Sequence, residues 1–257
     1  MIWFTIKKTF FDLWDHLFSI LLLNFGGVLL FGVLLYLFQF LSVQPLLGVC
    51  VAGIALLIFG QYLGVAALVT REIADYTMPD MRGLFRYLRE TWKASFVFSL
   101  LVVFQVLIVL VVLPWYLQMG GFIGMAIMSI CFWSSVLWWL ASQYYFPLHS
   151  RIERRPGKII LKCFILLFDN PLFTLVLAAG TLCMAALSLI TAFLFPGIGG
   201  ILLWHQVGSK LRFHKYEYLE QHPEANRTPV PWDTLLHDER ERVGKRTLRN
   251  TIFPWKE

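Results

Sequence analysis

Apart from Lys210 at the edge of the last run, His205 is the one acidic, basic or imidazole side chain inside an apolar run of this 257-residue chain. A charged group at a bilayer centre costs about 2.5–3.5 kcal/mol or more, so a histidine there serves as a ligand or proton relay, or stays neutral and bonds a neighbouring helix. The second outcome is the commoner and is expected here. The runs also hold Asn24, Gln39, Gln61, Gln105, Ser129, Ser134, Ser135, Ser142 and Gln143. Uncharged polar groups of this kind either line a wet path for a neutral solute or bond across helices, at about 1 kcal/mol or less each.

Little else in the chain has the spacing that chemistry requires. There is no P-loop, H-E-x-x-H, G-x-S-x-G or G-x-G-x-x-G. The glycines of "FPGIGG" follow no strand and precede no lysine, and "NRT" at Asn226 matches a glycosylation sequon that a cytoplasmic position leaves unused. Cys50, Cys131, Cys163 and Cys183 are scattered through apolar sequence without a C-x-x-C, which reads as packing rather than metal or redox work. No catalytic, cofactor or metal residue is assigned, and no enzyme is expected. Gly60 and Gly64 in "GQYLG" have the small-xxx-small spacing that lets helix backbones approach. That spacing serves internal packing or a partner surface, with packing favoured.

The elements that carry these residues are dictated by hydropathy. The chain is 58% hydrophobic and only 15% charged, and its mean hydropathy is +0.67. A soluble domain is about 25% charged, so this composition excludes a water-facing fold and implies an integral membrane protein. Apolar runs cover about 17–41, 46–70, 95–117, 121–146, 172–194 and, more briefly, 197–211. A retained first helix is expected rather than a signal peptide, because its run is too long and lacks a small-residue cleavage site.

Charge sorts strictly among the connectors. "SVQPL", "PWYLQMGG" and "FPGIGG" have none and read as tight turns, whereas the other two loops hold Arg71, Arg82, Arg86, Arg89 and Lys93, then Arg151, Arg154, Arg155, Lys158 and Lys162. The remaining charge lies at the N-terminus and from Lys210 onward. An even number of crossings puts all of it on one side, and the positive-inside rule makes that side cytoplasmic. The expectation is an all-α polytopic transmembrane bundle of about six spans in three hairpins, in a bacterial inner or plasma membrane, with both termini cytoplasmic. The sixth segment is short, and reads either as a thin crossing or as a half-membrane hairpin with the fifth. The net charge of +6 forms no tract that follows a phosphate backbone, so no nucleic-acid partner is expected.

Three segments repeat: "FFDLWDHLFSILLL", "YLRETWKASFVFSLL" and "ILLFDNPLFTLVL", aligned on Trp14, Trp92 and Phe168. Each follows a basic amphipathic stretch suited to the interface plane, so the unit reads as an interfacial helix and then a membrane hairpin. Asn170-Pro171 supplies a break with a cap and a first-turn proline.

The order "LGVAALVTREIADYTMPDMRGLFRYLRETWKASF", then "QYYFPLHSRIERRPGKIILKCFILLFDNPLFTL", then a Pro/Gly-broken hairpin, resembles the YesL-like family of small bacterial membrane proteins over about residues 10–220. That family has no established reaction. The resemblance implies an association with carbohydrate uptake systems of the ABC-importer type.

Residues 1–215 are thus read as the transmembrane domain and 216–257 as a charged cytoplasmic tail. A charged helix is expected over Trp232–Asn250, followed by the apolar Ile252, Phe253 and Trp255. With Trp232 these form a candidate docking cluster for a partner, with self-docking and the membrane surface as alternatives. Arg82, Arg86, Arg89, Arg151, Arg154 and Arg155 are the candidate contacts to anionic lipid or a partner, worth about 1 kcal/mol each near an anionic surface. The functional expectation is a non-enzymatic accessory or regulatory membrane protein, with the bilayer and a transporter complex as partners. The alternative is a passive transporter or channel for a neutral solute.

Overall fold

The computed structural model describes residues 1–41, 44–80, 82–222 and 230–244, and every regular element among them is helical. In chain order these are α1 (Ile2–Asp15), α2 (Leu17–Leu41), α3 (Pro45–Ala74) and α4 (Leu84–Leu107). A π-helical turn at Ile108–Val112 leads into α5 (Leu113–Met119), followed by α6 (Gly121–Ser142), α7 (Tyr145–Arg151) and α8 (Pro156–Asp169). The described residues end with α9 (Pro171–Ile190), α10 (Gly197–Gln221), α11 (Trp232–Leu235) and α12 (His237–Val243). Among the described residues, five stretches are long and apolar enough to cross a membrane: Leu17–Leu41, Leu47–Ala74, Leu84–Met119, Gly121–Arg151 and Pro171–Ile190. Their outward faces carry bare Phe18, Phe122 and Leu172, which suits a hydrocarbon solvent as apolar as they are. The protein is an all-α polytopic membrane bundle.

α10 is too polar to face lipid because it forms the centre of the bundle. Leu203, Trp204, Gln206, Val207, Ser209 and Leu211 are all buried against α1, α2, α3, α7 and α9. The Trp204 indole lies on Gly180, where a Cβ would collide with the ring, and its Nε1 donates to Leu177 O at 2.8 Å. Gln206 Nε2 donates to Ala67 O at 3.0 Å, and Lys210 Nζ to Ala74 O at 3.0 Å. Trp204, Gln206 and Lys210 of α10 thus serve as glue between helices.

From Gly197 to Lys210 the helix rises about 20 Å, against about 30 Å of hydrocarbon. Thr191 to Leu194 of the α9–α10 turn are exposed, but Pro196, Gly197, Gly199 and Gly200 are buried, so their backbone groups need protein partners. Asn24 of α2 supplies three contacts. Its Nδ2 donates to Leu194 O at 2.9 Å and Pro196 O at 2.7 Å, while its Oδ1 accepts from Gly199 N at 2.7 Å. Ser188 Oγ accepts from Gly197 N at 2.9 Å.

Two local expectations need correction. "PWYLQMGG" is not a turn throughout, since α5 continues the α4 axis to Met119. Pro114 sits in the first turn of α5, where its missing N–H is tolerated, and the preceding π turn absorbs the crowding of its ring. The reversal is confined to Gly120 and Gly121, at φ 63° and 70°. The second repeat unit also lacks a separate interfacial helix. α1 breaks at His16 and α8 at Asn170, but "YLRETWK" contains no breaker and α4 runs straight through it. The aligned Trp14, Trp92 and Phe168 are nonetheless all exposed.

Gly60 and Gly64 face α4, where a Cβ would overlap the hydroxyls of Ser99 and Ser95. The small-residue spacing serves internal packing of α3 on α4.

Candidate functional site: a buried charge network beneath the tail helix

Five elements meet at the charged end of the bundle. α1 is amphipathic: one face turns Phe4, Lys8, Phe11 and Asp12 inward, at i, i+4 and i+7/i+8 spacing. α3 ends there with Arg71 and its cap Asp75, followed by Tyr76 at φ 59°. That left-handed conformation closes the helix, with Thr77 N bonding back to Glu72 O at 2.9 Å, in a position where glycine is usual. α7 brings Arg151, α10 brings Lys210, and α12 brings Glu239.

Their side chains alternate in sign. Lys8 Nζ lies 2.9 Å from Asp12 Oδ2 and 3.6 Å from Glu239 Oε2. Lys210 Nζ lies 2.6 Å from Glu239 Oε1 and 3.2 Å from Asp75 Oδ1. Arg151 Nη1 donates to both Asp75 oxygens, at 2.9 and 3.0 Å. The Tyr76 hydroxyl donates to Glu239 Oε2 at 2.8 Å, and its ring packs 3.6 Å from Lys8 Nζ and 5.2 Å from Lys210 Nζ. The buried cations Lys8, Lys210 and Arg151 are thus matched by Asp12, Glu239 and Asp75, with the more exposed Arg71 at the edge, 3.7 Å from Asp75 Oδ2. A buried network of this kind is tolerable only when balanced.

Electrostatics at the site follow from burial. Desolvation raises Asp12 to about 6 against the pull of Lys8, and lowers Lys8 despite Asp12 and Glu239. Burial also acts to raise Glu239, but the hydrogen bond and charge of Lys210, with Lys8 and Tyr76, hold it below the ordinary carboxylate value. Tyr76 is raised by burial and by facing Glu239.

The network joins the tail to the membrane bundle. Leu236 and Val243 are buried in a cluster with Phe4, Phe11, Val207 and Leu211, and Lys7 Nζ donates to Gly244 O at 3.1 Å. Trp232, expected as a docking residue for a partner, is half-buried with its ring 5.4 Å from the Arg212 guanidinium. The expected helix over 232–250 is broken at Leu236 into α11 and α12. Ile252, Phe253 and Trp255 lie outside the described residues. Beside the network, Lys215 Nζ pairs with Asp169 Oδ2 at 2.9 Å, and Asn170 binds both Arg212 and Tyr216. This second cluster clamps the α8–α9 break onto α10.

The remaining candidate residues divide. Arg82, Arg89, Arg154 and Arg155 are exposed, and Arg86 pairs with Asp80 at 3.3 Å. Arg151 is corrected from a surface contact to an internal one, because α7 is buried from Tyr145 to His149 and delivers its guanidinium to Asp75. His205 Nε2 bonds Thr181 Oγ1 at 2.8 Å, and Thr181 bonds Gln143 Oε1 at 3.4 Å, beside a cavity of about 230 Å³. The four cysteines are free. Among the described residues no group of three His, Cys, Asp or Glu side chains is placed to hold a metal.

Sequence reasoning missed Lys8, Asp12, Asp75, Tyr76, Lys210 and Glu239. The Lys8–Asp12 spacing on an amphipathic helix was the one local signal, since the other partners are distant in sequence. Chemically, the arrangement can hold α12 against the bundle, with each of its carboxylates facing a cation. No family model, no curated protein and no solved structure matches the chain.

Proposed function

We propose that the protein is a non-enzymatic accessory or regulatory component of a bacterial inner or plasma membrane, with its charged end in the cytoplasm. One observation carries the reading: the polar machinery converges at the charged end and there fixes a short tail helix to the membrane domain. A fixed but ionically held segment beside exposed arginines makes a surface suited to a protein partner. The resemblance to the YesL-like family supports a carbohydrate importer as that partner. Deleting residues 232–257 is expected to weaken recovery of a membrane transporter complex in mild-detergent affinity purification by at least about tenfold, as loss of a central interface element does. Equal recovery removes the tail as the docking element. The second reading, a passive path for a neutral solute, draws on the Gln143–Thr181–His205 cluster and its cavity. In that case reconstituted vesicles would pass small polyols faster than empty ones.

A further inference from the structure

A groove of about 470 Å³ runs between α2, α3 and α4, separate from the charge network. Its walls include Leu22, Leu30 and Ile58, and its floor is formed by Gly26 and Tyr62. Along α2, Leu22 to Leu30 covers about 12 Å. One end reaches the first turns of α4, where Leu84, Phe85 and Leu88 line it. Phe85 is 86% exposed, an unusual state for a phenylalanine beside a charged loop.

Basic residues flank Phe85 in the sequence at that end. Arg89 stands at i+4 from Phe85, the spacing of neighbours on a helix surface. Arg86 is on the same turn, and Arg82 precedes the helix. Arg82 and Arg89 have no acidic partner among the described residues, while Arg86 shares Asp80. Farther in, Gln61 Oε1 is buried without a hydrogen-bond partner and lines the groove. It gives an otherwise apolar groove one polar spot, beside α4, where Gln61 Nε2 donates to Trp92 O at 3.4 Å.

We propose that this groove binds an anionic glycerophospholipid, one acyl chain lying along α2 and α3 and the phosphate held by Arg82, Arg86 and Arg89. The gradient from cationic rim to apolar floor matches a lipid end to end. A soluble protein segment would leave the lipid-facing part of the groove unexplained. A zwitterionic lipid would gain nothing from the rim.

Native mass spectrometry of the full chain in mild detergent, titrated with phosphatidylglycerol and phosphatidylcholine of matched chains, tests this. Phosphatidylglycerol is expected to be held about tenfold or more tightly, given the attraction of several basic residues for an anionic headgroup. Replacing Arg82, Arg86 and Arg89 together by Gln should reduce it to the phosphatidylcholine level. Gly26→Leu leaves charge unchanged, and its Cβ would lie 3.6 Å from Tyr62 Oη, an ordinary contact. It should fill the groove and weaken phosphatidylglycerol by a similar factor. Glycerol 1-phosphate, which has no acyl chains, should not displace the lipid. Equal retention of the two lipids, a preference that survives the triple Gln variant, undiminished phosphatidylglycerol binding by Gly26→Leu, or displacement by glycerol 1-phosphate each overturns the proposal.

Discussion

Asn24→Leu is expected to destabilise the protein by about 3–5 kcal/mol, the largest loss of any single substitution of similar volume in the membrane domain. Asn24 is 1% exposed, and its carboxamide satisfies Leu194 O, Pro196 O and Gly199 N at once. Leucine fills the same space and offers no polar atom, so Leu194 O and Gly199 N lose their side-chain partner, and Pro196 O keeps only Gly200 N at 2.9 Å. Each stranded group costs about 1–3 kcal/mol, less than additively. Phe25, the next residue, is 50% exposed, and Phe25→Leu should cost within about 0.5 kcal/mol. Reversible unfolding of both variants in mixed micelles of dodecyl maltoside and SDS measures the difference. If the two variants lose similar amounts, the turn does not depend on Asn24.

That turn also shows where sequence reading stops. The spans were legible because length and apolarity are properties of a single segment: Ala94–Ser150 contains no charge, and a helix of that composition has nowhere else to go. Gly60 and Gly64 were legible because their spacing puts both on one face. α10 was not, since "GIGGILLWHQVGSKL" reads as a poor span. Its polarity is cancelled by partners on other helices, such as Ala67 O for Gln206, and burial of that kind is pairwise and non-local. Asn24 looked like one polar residue among nine, and nothing adjacent to it announces a turn about 170 residues away. The charge network failed for the same reason. Glu239 sits in a run, "HDERER", that by composition belongs in water. Tyr76 takes a glycine-like φ only because its ring and hydroxyl are held by Lys8 and Glu239.

The network makes a sharper prediction through pairs of substitutions. Glu239→Leu leaves Lys8, Lys210 and Arg151 facing only Asp12 and Asp75, one buried positive charge too many. Lys210→Met leaves one negative charge too many, on Glu239. Removing one member of a buried pair costs about 3 kcal/mol or more, which converts to roughly a hundredfold rise in the undocked population of α12. The double variant keeps Lys8 with Asp12 and Arg151 with Asp75, so it is expected to cost less than either single change. Hydrogen exchange of residues 236–243 reports this directly, since Arg240 N is held by Leu236 O at 2.8 Å only while α12 is formed.

The same readout gives the pH dependence, which the two carboxylates pull in opposite directions. Asp12 is raised to about 6, so its contribution favours docking at low pH and is lost as pH rises through that value. Glu239 is lowered, so its contribution is present above the ordinary value of 4.5 and is lost as pH falls through its depressed one. Between pH 8 and 5 the protection of α12, corrected for intrinsic exchange, should therefore hold or rise slightly as Asp12 takes up its proton. Below pH 4.5 it should begin to fall, and it should collapse once pH passes below the depressed value of Glu239, because Lys8 and Lys210 then face a neutral carboxyl. A steady loss beginning near pH 6 would mean that Asp12, rather than Glu239, is the group that holds the tail.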